Sequence, residues 1–212
     1  MHWTDFMITE DWIKRHLEHY THMRKVFYEL FNQELYMTAG TLLGIVREND
    51  IIKHDRDMDT AYLINENDHK LFNVINNLIK YGENISIVTE KGGRRTNYFW
   101  WYSKDKKCKV DVFPAILNNG FYIRPKRVNV ELEANIILPL KKIMFYDVEI
   151  VTPNNSMKKV EVIFGDTWRT PIKKWRWQDH KPKDEIKLQE IKNMGLSPEE
   201  IEIIVKKSRG IK

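Results

Sequence analysis

The chain has 212 residues, and its 42% hydrophobic content predicts one globular domain, with room for a small appendage, rather than a disordered chain. The single cysteine, Cys108, excludes an internal disulfide and a cysteine-rich zinc site. A net charge of +5 favours anionic partners such as phosphates and nucleotides, but the charge is modest and mixed along the chain, so nucleic acid is not the expected partner.

No targeting or membrane-spanning segment is expected. No apolar run approaches the roughly 20 residues of a membrane span. The N-terminal stretch "MHWTDFMITEDWIKRH" contains acids and has no apolar core, so it does not resemble a signal peptide. These features predict a cytoplasmic protein, with peripheral contact at the inner face of the membrane left open.

The first half of the chain alternates helical and extended patterns. Apolar residues at spacings of three and four predict an amphipathic helix over 9–32. "ELYMTAG" predicts a strand that meets a tight turn at Gly40, and "TLLGIVREN" predicts a short helix that tolerates Gly44. "DMDTAYLI" alternates as a strand does, and the helical spacing returns over 66–81.

The second half is richer in strand patterns. "ISIVTE", "RRTNYFWWYS" and "KCKVDVFPAIL" predict three strands, and "NNSMKKVEVIFG" predicts a helix that ends at Gly165. "LSPEEIEIIVKK" carries a capping box and predicts a C-terminal helix. We therefore expect an α+β fold, a mixed sheet with helices packed on it, with residues 1–180 as the catalytic domain and 181–212 as a helical extension.

Three aspartates suggest a metal site. Asp57 and Asp59 are two apart on a predicted strand, so both carboxylates point the same way and repel each other. Asp111 lies between two valines on another predicted strand. A divalent cation removes this repulsion by sharing the carboxylate oxygens. The alternative is that these aspartates form solvent-facing turns, which is the common role of Asp-rich segments and the one favoured for Asp55.

Two further features favour an anionic, ring-containing ligand. The turn at Gly40 and Thr41 opens a helix, where unpaired N–H groups can bind a phosphate. In "RRTNYFWWYS", Tyr98, Trp100 and Tyr102 share one strand face and Phe99 and Trp101 share the other. One set fills the core and the other can form a stacking platform for a base or sugar, with Tyr98 as the candidate residue. Arg94 and Arg95 either contact phosphates or are charges that protect a sheet edge.

"AGTLLGIVREND-IIKHDRDMDTAYL" resembles the opening motif of the LicD/fukutin family of phosphotransferases, in the nucleotidyltransferase superfamily of polymerase-β-like fold. "VDVFP" is similar to the second motif of that family, and "ILPLKKIMFYDVEIVTPNN" with "FGDTWRTP" is similar to its C-terminal segment. The four segments occur in the family's order and span roughly residues 35–171.

The resemblance implies transfer of a phospho-alcohol, such as phosphocholine, ribitol phosphate or glycerol phosphate, from a CDP-activated donor with release of CMP. The implied acceptor is a hydroxyl of a surface glycan such as lipopolysaccharide or capsule, or of a lipid-linked precursor. The implied cofactor is one or two Mg²⁺ ions, which Mn²⁺ can replace. An enzyme that attacks the α-phosphate of an NTP, and a non-catalytic nucleotide-binding protein, remain the alternatives.

The resemblance also implies residue roles. Asp57 and Asp59 match the metal-binding pair, and Asp111 matches the third carboxylate, which can also take the proton of the acceptor hydroxyl. Gly40 and Thr41 would bind the donor phosphate. Arg47 either orients the phosphate or pairs with Glu48 or Asp50. His54 lies where the family usually has Pro-Trp-Asp-Asp, and it either contacts the donor or is solvated.

Overall fold

The structure, a computed structural model, describes residues 8–64, 71–89, 96–118, 121–123 and 131–171. The predicted C-terminal helix, the domain boundary at residue 180, and Arg94 and Arg95 lie outside these ranges. Within them, no helix has the length and hydrophobicity that crossing a membrane requires.

The first helix, α1 (Glu10–Phe31), confirms the prediction over 9–32. Thr9 accepts a hydrogen bond from the Trp12 N–H at 3.2 Å and so caps the first turn. Asn32 adopts a left-handed conformation, and its N–H bonds the carbonyl of Tyr28, which ends the helix. The apolar stripe between these caps enters the main hydrophobic cluster.

The next helix, α2 (Ala39–Glu48), begins earlier than predicted. Gly40 therefore lies inside its first turn, and the tight turn falls on Thr38 and Ala39. Ala39 has a φ of +44°, a left-handed conformation that a non-glycine residue rarely adopts. Gly44 lies mid-helix against the segment that follows the helix: an added Cβ would come within 2.6 Å of the Asp50 carbonyl oxygen.

The described strands form a seven-stranded sheet and a separate hairpin. The sheet contains β1 (Tyr36–Met37), β2 (Met58–Ile64), β3 (Asn84–Thr89), β4 (Thr96–Tyr102), β5 (Lys109–Asn118), β6 (Phe121–Ile123) and β7 (Glu131–Glu133). Its order is β1-β2-β5-β4-β3, and β6 pairs with both β5 and β7. The hairpin is β8 (Lys141–Phe145) with β9 (Val148–Thr152), and the other helices are α3 (Leu71–Tyr81), α4 (Ala134–Ile137) and α5 (Ser156–Phe164).

Strands β2 and β5 are parallel neighbours, whereas the other described pairs are antiparallel. A parallel pair needs a long crossover, which here contains α3, β3 and β4. Parallel strands begin at the same edge of a sheet, so the starts of β2 and β5 meet, with Met58 opposite Val110. The predicted site residues Asp59 and Asp111 lie at this end of the two strands.

The two faces of the sheet have different roles. On one face, Met58, Val110 and Val112 join Phe99 and Trp101 in the cluster that contains the apolar residues of α1 and α3. Phe99 and Trp101 are fully buried, which confirms that one set of the aromatic strand fills the core. The opposite face carries the aspartates at its start, and further along it a second cluster with residues of α4 and β9 covers β2 and β5.

Candidate functional site

The centre of the candidate site is a pair of aspartates on adjacent strands. Asp59 of β2 lies directly opposite Asp111 of β5 in the parallel register, so both side chains leave the sheet on the same face. Asp59 is 9% exposed and Asp111 is 6% exposed. Two carboxylates this close and this shielded from water repel each other, and they are stable together only with compensating positive charge or hydrogen bonds.

The start of α2 supplies part of this compensation to Asp59. The Gly40 N–H donates to Asp59 Oδ2 at 2.9 Å, and the Asp59 N–H donates to Thr41 Oγ1 at 2.8 Å. A helix N-terminus favours a negative charge at this position. Gly40 and Thr41, predicted to bind phosphate, therefore position Asp59 in this structure, and the Gly40 N–H is not left open for an anion.

A third carboxylate, Asp55, packs against the same glycine. A Cβ on Gly40 would lie 2.2 Å from Asp55 Oδ2 and 3.3 Å from Asp59 Oδ2. The glycine is thus needed for the close approach of these two side chains to the helix backbone. Asp55, expected to serve mainly the turn, belongs to the carboxylate cluster.

Asp57 reaches the cluster through a lysine. Strand β2 begins at Met58, so the prediction that Asp57 lies within the strand is wrong by one residue. Its Oδ1 accepts a hydrogen bond from Lys109 Nζ at 3.1 Å, and the same Nζ lies 3.1 Å from Asp111 Oδ1. The ammonium group of Lys109 therefore stands between Asp57 and Asp111.

Several ionisable groups of the site have pKa values shifted from their ordinary values. Burial, with a further contribution from the charge of Asp57, raises the pKa of Asp55 to about 6. Burial also raises the pKa of Asp111 to about 6, although Lys109 opposes this shift. The neighbouring carboxylates in turn raise the pKa of Lys109 despite its partial burial. Carboxyl groups with raised pKa values are typical of sites that bind cations or transfer protons.

The donor set fits a hard divalent cation, which prefers carboxylate oxygens. Asp111 Oδ1 is a buried carboxylate oxygen whose nearby positive charge is the Lys109 ammonium, at 3.1 Å. In the described part of the chain, however, no three His, Cys, Asp or Glu side chains already stand in a metal-binding arrangement. The Lys109 ammonium lies between two of the three predicted ligands, Asp57 and Asp111.

An aromatic surface borders the carboxylates. Trp100 of β4 lies opposite Asp111 in the antiparallel register, and its indole N–H is buried. Tyr98, on the same face, stacks on Phe113 with ring centroids 4.7 Å apart. The predicted aromatic platform is therefore next to the aspartates. Trp100 is directly opposite Asp111, and Tyr98 is two residues before Trp100 on the same face of β4.

Of the remaining predicted residues, the two that the structure describes, Arg47 and His54, do not join this group. Arg47 lies at the far end of α2, where its guanidinium pairs with Glu48 and approaches the Trp168 carbonyl, the structural alternative that the sequence left open. His54 is exposed in the turn before Asp55. Arg94 and Arg95 lie outside the described residues, so their predicted roles stay predictions.

The sequence analysis missed two lysines. Lys109 precedes Asp111 by two residues, and that spacing alone places both on one face of a strand. Lys159 of α5 is fully buried, donates to Thr38 Oγ1 at 2.9 Å and lies 4.8 Å from the centre of the Tyr36 ring. It thereby supports the turn that precedes Gly40, and its place in an ordinary helical pattern gave no signal of this.

The mixed sheet and its paired strand aspartates match the expected fold, a nucleotidyltransferase domain with helices packed on the sheet. Residues 32–155 match the family model described as LicD/FKTN/FKRP, nucleotidyltransferase domain. The chain belongs to this family.

Curated relatives are distant and longer. The chain is 22% identical over 162 residues to the mouse ribitol-5-phosphate transferase FKTN, a match that covers 69% of this chain and 32% of that protein. It is 26% identical over 148 residues to the human ribitol 5-phosphate transferase FKRP, covering 61% and 27% respectively. The chain thus spans about a third or less of either relative's length.

Among solved structures, the chain is similar to the crystal structure of ANT(2")-Ia in complex with adenylyl-2"-tobramycin. The identity is 13% and the TM-score is 0.44, with 90% of this chain and 95% of that chain covered. This likeness is too distant to bear on function.

Proposed function

We propose that the protein is a Mg²⁺-dependent transferase that moves a phosphorylated alcohol from a CDP-activated donor to a hydroxyl of a glycan or glycan precursor. The observation that carries the proposal is the alignment of Asp59 with Asp111 beside the start of α2. Family membership supports the reaction class, and the ribitol-5-phosphate transferases among the relatives make ribitol phosphate the first alcohol to test.

The cation would be held by Asp57, Asp59 and Asp111. When bound, Mg²⁺ would neutralise the donor phosphates and support an in-line displacement at phosphorus. Asp59 is already oriented by the Gly40 N–H, so it needs little rearrangement to serve as a ligand. Mn²⁺, which shares the preference for oxygen ligands, should replace Mg²⁺.

The reaction would proceed by attack of the acceptor oxygen on the phosphorus that bears the alcohol. The new P–O bond forms as the bond to CMP breaks, and CMP leaves with the electron pair. The proton of the acceptor hydroxyl would pass to Asp111, whose carboxylate faces the site from β5.

The aromatic surface would bind the ring portion of the donor or acceptor. Trp100 and Tyr98 lie on the aspartate face of β4, and neither ring is fully buried. Stacking of a base on such rings contributes roughly 1–3 kcal/mol. This surface would therefore hold the donor while the carboxylates act on its phosphates.

The test is a donor screen with product analysis. CDP-ribitol, CDP-choline, CDP-glycerol and CDP-ethanolamine are each incubated with the protein and a panel of sugar acceptors, with and without Mg²⁺. We expect CMP and a phosphodiester product from one donor only when Mg²⁺ is present. Pyrophosphate release from an NTP would instead support nucleotidyl transfer, and no turnover with tight nucleotide binding would support a non-catalytic role.

A further inference from the structure

Lys109 stands where a cation is expected in the candidate site. Its Nζ is 3.1 Å from Asp57 Oδ1 and 3.1 Å from Asp111 Oδ1, and it lies 4.8 Å from the centre of the Trp100 ring. The ammonium therefore bridges the same two carboxylates that a divalent cation would share.

The contacts of this bridge suggest that it can open. The Lys109 side chain is 29% exposed and that of Asp57 is 46% exposed, so one end of the bridge reaches solvent. At the buried end, Asp111 Oδ1 lies 3.1 Å from the ammonium. An ammonium carries one charge, whereas a divalent cation carries two and binds carboxylate oxygens at shorter distance. A divalent cation, when present, should therefore displace the ammonium from the two carboxylates.

We propose that Lys109 is a built-in counter-ion, which occupies the cation position between Asp57 and Asp111 in the ion-free protein and moves aside when a divalent cation binds. The proposal rests on the metal site of the proposed function and adds a positioning residue to it. Lys109 keeps the carboxylates from repelling each other before the ion arrives, and it lowers the affinity for the ion because the two cations compete.

The experiment compares wild type with three variants by Mn²⁺ binding without any donor or acceptor. Wild type, Lys109→Met and Lys107→Met are titrated with Mn²⁺ by calorimetry, and far-UV circular dichroism verifies folding. Lys107 is the matched control, because it is two residues away, loses the same charge and has a 65% exposed side chain directed to Asp105. Lys109→Gln, which keeps a polar side chain, is the second variant.

We expect Lys109→Met and Lys109→Gln to bind Mn²⁺ at least about tenfold more tightly than wild type, a difference of about 1.4 kcal/mol. Lys107→Met should stay within about twofold of wild type, since exposed charges are screened by solvent and salt. In EDTA the Lys109 variants should unfold at a lower temperature than wild type, and Mn²⁺ should raise their unfolding temperature by more.

The outcomes separate this inference from the proposed function. Unchanged or weaker Mn²⁺ affinity in both Lys109 variants would overturn the counter-ion role while leaving the metal site in place. An equal gain in Lys107→Met would also overturn it, because the effect would then be one of net charge. Absence of Mn²⁺ binding in all proteins would overturn both the counter-ion role and the Mg²⁺ dependence.

Discussion

The Gly40 N–H donates to the carboxylate of Asp59 at 2.9 Å, and this hydrogen bond joins the first turn of α2 to strand β2. The bond is possible because Gly40 has no side chain to keep Asp55 and Asp59 away from the helix. The glycine thus positions the acid directly.

Replacing Gly40 with Ala should lower activity strongly while changing stability little. The new Cβ would meet Asp55 Oδ2 at 2.2 Å and Asp59 Oδ2 at 3.3 Å, and the first of these is the mobile end of a side chain. Asp55 can move away, and Ala favours the helix, so the free energy of unfolding should change by no more than about 1 kcal/mol. CMP release should fall by at least about tenfold, because the carboxylates are displaced.

Gly44→Ala is the matched control on the same helix. Its Cβ would meet backbone atoms, the Asp50 carbonyl oxygen at 2.6 Å and the Ile52 nitrogen at 3.0 Å, which cannot move as easily. This overpacking should cost about 1–3 kcal/mol of stability while the folded fraction keeps its turnover. Loss of stability in Gly40→Ala with unchanged turnover would contradict the positioning role of Gly40.

Replacing the two neighbouring tryptophans on opposite faces of β4 should affect different properties: stability for Trp101 and donor binding for Trp100. Trp101 is fully buried and donates to Glu83 at 2.9 Å, so Trp101→Leu should cost about 3 kcal/mol of stability without changing KM for the donor. Trp100→Leu should cost less stability and raise that KM by about tenfold, since it removes the stacking surface beside Asp111. Steady-state kinetics and thermal unfolding measure both, and equal KM values in the two variants would exclude stacking on Trp100.

The effect of Asp55→Asn on stability should depend on pH. Burial raises the pKa of Asp55 from 3.8 to about 6, so holding it ionised in the folded protein costs stability above that pH. The folded protein takes up this proton at a higher pH than the unfolded chain, so the cost disappears as pH falls from about 6 to about 4. Asp55→Asn should therefore stabilise the ion-free protein at pH 7, and this gain should shrink toward pH 4.

The comparison must be made between variant and wild type at each pH. Burial lowers the pKa of His16 to about 4 and also lowers that of His19, so these groups favour folding as pH rises and oppose the Asp55 effect in the same range. Thermal unfolding in EDTA at several pH values isolates the difference. An Asn variant that is less stable than wild type at pH 7 would contradict the assigned burial cost.

The sequence predicted features that depend on local patterns. Apolar periodicity was enough for α1, and alternation in β4 placed Trp101 and Trp100 on opposite faces of the strand. The flanking valines predicted that Asp111 lies on a buried strand, and the structure pairs that strand with the one that carries Asp59.

What the sequence did not predict depends on contacts between distant segments. The bridge from Lys109 to Asp57 joins residues 52 positions apart, and the Gly40 bond to Asp59 spans 19. Arg47 looked equally able to bind phosphate or Glu48, and only the geometry at the end of α2 shows that it pairs with Glu48. The contact of buried Lys159 with Thr38 was not predictable either, because it spans 121 positions.

The central claim is that Asp59 and Asp111 together form the catalytic centre. The most direct measurement is the rate of Mg²⁺-dependent CMP release by Asp59→Asn and Asp111→Asn, with Asp147→Asn as control, since Asp147 is exposed in the β8–β9 turn with a φ of +60° that Asn tolerates. We predict a loss of at least about a thousandfold in both site variants with folding retained, and a wild-type rate in the control. Near-wild-type rates in either site variant would contradict the claim.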